Sequence, residues 1–369
     1  MGRQPSTNKN LPIRMRRRVQ RSGIAYYYYD AGGSPRVEIP LGSDYVAAVM
    51  KWAELEQDKT TRIAGLITFR YAATRYIKEV LPGKSARSQK DNLTEFEFLL
   101  EFFGDAPLDE IDPQHIRQYM EWRVRKSREM AAEKNRQRML RGLAPLKIPD
   151  GLVRANREKA LFSHVFNMAR NWGLTKAQNP CAGIKGNTET GRDVYVEDET
   201  YNVVYNAADQ PTKDAMDLAY LTGQRPADTV KYRETDMKDG YLELAQNKTT
   251  KKLRIQIIGE LEAVLARIIA RKRFAENFYG ASCLELIVNE KGRRLTQEAL
   301  RQRFYDVRQK TGVKSTQFQF RDLRAKAGTD KADEAGDMRA AQRQLGHKSL
   351  AMTETYVRER KGDKVTPTR

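Results

Sequence analysis

The sequence predicts a mainly α-helical chain with small β-sheets, an α+β architecture spread over several domains, and three observations carry that expectation. Apolar residues recur at helical spacing through most of residues 63–180 and again beyond residue 260. Runs rich in β-branched and aromatic residues are confined to two short blocks, near residues 23–44 and 241–257. The length of 369 residues also exceeds one domain, if a domain takes ~100–200 residues.

Residues 1–22 hold seven Lys or Arg, no acid, Pro5 and Pro12, and read as a flexible basic arm. Residues 23–60 follow as a small sheet-plus-helix module: two β-rich runs around the Asp30-Ala-Gly-Gly turn, then the helical pattern "YVAAVMKWAELEQ". Tyr26 to Tyr29 put rings on both faces of one strand. One face fits core packing; the other fits either plain exposure or contact with nucleic acid.

Residues 63–181 read as a helical domain whose helices stop at Pro82, Gly104, near Gly142 and at Gly173, the third starting at Asp112-Pro113. That third helix carries eight Lys or Arg against three Glu between 121 and 142, which suits a solvated face or a phosphate contact. Periodicity is lost over 182–193, the expected linker. Residues 194–360 then mix elements. A helix closes at Gly223, Pro226 opens another, the strands "YLELA" and "LRIQI" flank "QNKTTKK", and Thr296 caps a helix with Leu300, Phe304 and Val307 on one face. Residues 361–369 form a tail.

Lys and Arg exceed Asp and Glu by 67 − 48 = 19, spread along the chain, so a polyanion such as nucleic acid is the expected partner. Cys181 and Cys283 stand far apart, which excludes a disulfide framework or a zinc spacing and fits a reducing cytoplasm. No apolar run approaches the ~18 residues of a membrane span, so no membrane partner is expected. "MGRQPS" matches a loose myristoylation pattern and is treated as chance. No cofactor or metal is expected, since the chain has no P-loop, no His-Glu-x-x-His element and no paired cysteines.

Cutting and rejoining a phosphodiester without metal or nucleotide requires a nucleophile, cations fixed on the phosphate oxygens, an acid for the leaving oxygen and control of the nucleophile's proton. The region 194–360 offers each. Arg225 in "TGQRPAD" leaves a corner between two helices, and Asp228 could orient it; a surface Arg–Asp pair is the plainer alternative. Arg321 and Arg324 in "FRDLRAKAG" are expected i,i+3 on a half-buried helix, where two like charges repel unless an anion faces them. Lys248 follows the first strand of the hairpin, placed for a groove or for a general acid, although a lone turn lysine is usually solvated. His347 follows a helix-ending glycine, unlike His115 and His164 in the helical segment. Tyr356, nine residues on, would be a core ring if taken singly.

The ordered set "TGQR", "NKTTKK", "RDLR", "LGHKS" and Tyr356 resembles the catalytic domain of tyrosine recombinases, phage integrases in particular, over about residues 195–360. The preceding regions look like the core-binding and arm-binding modules of the same enzymes. The resemblance implies that Tyr356 attacks the scissile phosphate, Arg225 and Arg324 clamp its oxygens, Lys248 protonates the leaving 5′ oxygen and His347 hydrogen-bonds the phosphate. It implies double-stranded DNA as partner at core and arm attachment sites, a homotetramer on DNA, and a host architectural protein and a directionality factor as further partners. One position departs. Arg321 stands where the family has histidine, and because a guanidinium is a poor base it is expected to act as a third phosphate donor. A type IB topoisomerase and a non-catalytic DNA-binding regulator are the rival readings.

Overall fold

Alternation within "AYYYYDAG" builds the first sheet: Tyr27 and Tyr29 are buried, while Tyr26 and Tyr28 are half-buried on the other face. In the computed structural model, which describes residues 11–57, 67–146, 150–247 and 251–361, this strand is β2 (Ala25–Gly32). It lies between β1 (Met15–Val19) and β3 (Val37–Gly42), both antiparallel to it. At residues 15–19, β1 corrects the expectation of a flexible arm over residues 1–22, of which 1–10 lie outside the described residues. Met15 is buried and pairs with Tyr29, so one apolar side chain anchors an otherwise basic strand that has no visible alternation of its own.

Helix α1 (Tyr45–Gln57) closes this module. Trp52 Nε1 donates to the Ile13 carbonyl at 2.8 Å and Tyr29 Oη to Glu56 at 2.8 Å. The helices α2 (Phe69–Glu79), α3 (Ala86–Phe103), α4 (Pro113–Leu140) and α5 (Leu152–Asn171) share one core with the sheet, built on Trp52, Phe69, Phe96, Phe103, Tyr119 and Phe162. Asp112 caps α4 by accepting from the Gln114 and His115 amides. His164 is a structural residue, hydrogen-bonded to Tyr76 Oη at 2.5 Å.

Contacts divide the chain into two units, Met1–Thr190 and Gly191–Arg369. The second unit contains α6 (Asp198–Ala207), α7 (Gln210–Thr222), the short α8 (Pro226–Thr229) and a three-stranded antiparallel sheet of β4 (Met237–Lys238), β5 (Tyr241–Ala245) and β6 (Lys252–Gln256). The helices α9 (Glu260–Tyr279), α10 (Gln297–Thr311), α11 (Leu323–Ala335), α12 (Met338–Leu345) and α13 (Leu350–Lys361) follow. Helix α7 is buried along most of its length, acids included. Asp214 is fully buried and ion-paired to Arg267 at 3.0 Å and Arg271 at 2.7 Å, both from α9. Helix α13 rests instead on a small separate cluster of Ala332, Ala341 and Val357 with Met338. Among the described residues no helix is long and apolar enough to cross a membrane.

Candidate active site

Two helix C-termini meet at the heart of the second unit. Helix α7 ends at Gly223 and α12 at Gly346, both left-handed, with φ of 66° and 67°. A Cβ on Gly223 would lie 3.2 Å from Leu345 Cδ2 and 3.3 Å from Gln344 Cγ, so glycine at this position also permits the close approach. The last carbonyls of a helix lack intrahelical donors and carry the negative end of its dipole. Here side chains from other segments supply the donors. Arg324 gives Nη1 to the Gly223 carbonyl at 2.8 Å and Nη2 to the Leu345 carbonyl. Gln224 Nε2 reaches the Thr222 carbonyl at 2.8 Å and the Gln344 carbonyl at 3.1 Å. Gln344 Nε2 reaches the Leu221 carbonyl at 3.0 Å.

Arg324 is therefore a buried cation, 4% exposed, compensated by converging carbonyl dipoles. Arg225 is the residue before α8, with extended backbone, and its Nη1 stands 4.0 Å from Asp228 Oδ2. Neither of those two atoms has a hydrogen-bond partner among the described residues. The other Asp228 oxygen accepts the Asn247 amide at 2.9 Å, so Asp228 ties the hairpin end to the Arg225 corner. His347 is buried, with Nδ1 3.0 Å from Thr353 Oγ1. Burial, and then the charges of Arg324 and Arg225, push its pKa down to about 4. The imidazole is neutral at physiological pH.

Arg225, Arg324 and His347 thus converge from three distant stretches of chain. Arg321 does not share their environment: it is exposed in the 3-10 turn Phe320–Asp322, whereas Arg324 is buried in α11. The expected i,i+3 helical pairing fails because the α-helix begins only at Leu323; Phe320 and Leu323 are nonetheless buried. Asp322, between them, is held by Arg192 through two bonds of 2.7 and 2.6 Å. Lys248 lies outside the described residues. Tyr356 lies on α13, three residues beyond Thr353, and its side chain is likewise outside the description.

Sequence reasoning missed the glutamines. Gln246, at the end of β5, is 1% exposed and donates Nε2 to Gln224 Oε1 at 2.7 Å and to the Leu345 carbonyl at 3.0 Å. The signal was adjacency, since Gln224 precedes Arg225 and Gln246 stands two before Lys248.

Residues 195–362 match the Phage integrase family. This region is a phage integrase domain. The integrase of Escherichia phage HK022 is 29% identical over 199 residues, 51% of this chain and 54% of that protein, so the match spans about half the length of the curated relative. Among solved structures, a lambda integrase tetramer bound to a Holliday junction aligns with a TM-score of 0.62 at 19% identity, over 97% of this chain and 99% of that one. The Tn1549 transposon integrase in complex with circular intermediate DNA aligns at 0.56 and 16%, over 81% and 96%. At such identities these two speak for the fold. Within the integrase domain, the two cross-capped helix ends lie inside the matched residues, as does α13.

Proposed function

We propose that the chain is a site-specific DNA recombinase that cleaves and rejoins strands through a 3′-phosphotyrosyl intermediate, integrating or excising a mobile element. The observation that carries this reading is the convergence of Arg225, Arg324 and neutral His347 at one buried corner, with the helix of Tyr356 tethered there by Thr353. The phenolic oxygen of Tyr356 forms a bond to phosphorus as the bond to the 5′ oxygen breaks. The phenol gives up its proton to solvent water and Lys248 supplies one to the leaving oxygen. Arg225 and Arg324 hold the charge that develops on the non-bridging oxygens, where a preorganised guanidinium in a dry site counts most. His347, uncharged, hydrogen-bonds the phosphate. The phosphotyrosyl bond keeps the energy of the diester, so a second 5′-hydroxyl can reverse the step.

Double-stranded DNA is the partner, and a homotetramer is the working assembly, as the DNA-bound integrase neighbours suggest. Residues 194–360 serve catalysis and 63–181 grip the core site. An open groove of about 810 Å³, whose charged lining is Arg117, Arg125, Arg128 and Lys185 against Glu121 and Glu129, supports that second role. Residues 23–60 take an accessory site. The reaction runs in the cytoplasm of a bacterial host.

A nicked suicide duplex tests the reading. Wild type should give a covalent protein–DNA adduct on a denaturing gel and Tyr356→Phe none. No adduct from wild type would leave a non-catalytic DNA-binding protein. Adduct without exchange between two marked duplexes would point to topoisomerase-like relaxation.

A further inference from the structure

We infer that Gln246 is a positioning residue for the arginine clamp, an inference that rests on the reading that Arg225 and Arg324 hold a scissile phosphate. The Leu345 carbonyl is the shared point. It accepts from Arg324 Nη2 and from Gln246 Nε2, and the same Gln246 nitrogen donates to Gln224 Oε1, the side chain next to Arg225. The Gln246 amide N–H closes the hairpin by donating to the Lys251 carbonyl at 2.9 Å. One buried carboxamide therefore fixes three things relative to each other: the hairpin end, the C-terminus of α12 and the residue preceding Arg225.

Space at this point is tight. A Cβ on Gly346 would stand 3.0 Å from Gln246 Nε2, so the amide is wedged against the glycine that turns the chain from Leu345 to His347. Without the Gln246 donor, the Leu345 carbonyl keeps Arg324 alone and Gln224 Oε1 is left buried without that bond. Both guanidinium groups then lose the reference that sets their separation. The loss falls on the transition state, because misplacement of charge-stabilising groups by about 1 Å costs on the order of 10²-fold in rate.

The test uses the full chain and two suicide duplexes, one ordinary and one with a methylphosphonate at the scissile position, which is uncharged in the ground state and leaves a single non-bridging oxygen for the arginines to hold. Gln246→Ala and Gln246→Glu should slow single-turnover adduct formation on the ordinary duplex by about 10²-fold. On the methylphosphonate duplex the loss should shrink by at least about 10-fold, since one of the two oxygens that the clamp holds is gone. That recovery also shows the variants are folded. Equal losses on the two duplexes would reduce Gln246 to a folding role and overturn the inference, as would no loss on either. Recovery instead on a duplex with a 5′-bridging sulfur, whose leaving group needs no acid, would overturn it in favour of a role through Lys248. A wild-type chain that forms no adduct on the ordinary duplex sinks the recombinase reading itself, and this inference with it.

Discussion

The outer face of the N-terminal sheet and the corner around Arg324 are both rich in arginine, yet they treat the charge in opposite ways. On the sheet, Arg18 pairs with Glu38 at 2.6 Å, Arg16 with Asp30 at 3.2 Å, and Arg36 also engages Asp30. Asp30 is held down to about 2 chiefly by its hydrogen bond from Arg36. Arg18 stacks over Tyr28 with its centre 5.0 Å from the ring. At the corner, Arg324 is oriented by two backbone carbonyls, which steer a guanidinium without cancelling its charge. Net charge alone thus says little about where an anion binds. What matters is whether the compensating group is another ion or a dipole.

The largest test of that contrast is at the corner. Arg324→Ala should lower single-turnover cleavage by on the order of 10³-fold, the cost of removing a preorganised donor to developing charge. Arg324→Lys should recover little of it, because an ammonium cannot span the Gly223 and Leu345 carbonyls as a fork does. Cleavage by Arg324→Lys at the wild-type rate would mean that charge suffices and the carbonyl fork is incidental.

A smaller effect follows from His347. Its folded pKa of about 4 lies below the ordinary 6.5, so on acidification the unfolded chain takes up the proton first. The stabilisation from keeping this imidazole neutral is complete above about pH 6.5 and is lost as pH falls towards about 4. Thermal melts of wild type and His347→Gln should therefore draw together as pH drops through that window. Parallel curves would show that the imidazole is not held neutral by burial.

The smallest effect separates the two kinds of surface arginine directly. Arg125→Ala, in the groove on α4, should reduce the slope of log affinity against log salt by about 0.9 for core-type duplex DNA. Arg18→Ala should leave the slope unchanged, since Glu38 already holds that guanidinium. Equal changes in both would erase the distinction between paired and available cations.

The periodic helices and the hairpin strands were legible because they are properties of short windows. So were Arg225, Arg324 and His347, each flagged by a turn glycine, a helix start or a neighbouring motif. The bonds that bring them to one corner were not. Arg324 reaches a carbonyl 101 residues away, and Gln246 one that is 99 away; no window spans that. Arg321 misled because its i,i+3 relation to Arg324 presumed α-helix where the chain runs 3-10. β1 was hidden because Met15 is its one buried side chain.

The cluster beneath α13 has a consequence for motion. Among the described residues, two alanines, one valine and a partly covered methionine offer little apolar area compared with the aromatic core under α7. Backbone amides of this last helix should exchange with solvent through a local opening far below the free energy of global unfolding. On the proposed reading, the tyrosine that attacks phosphorus would ride on a segment able to lift and reseat while Arg324 stays anchored on its two carbonyls.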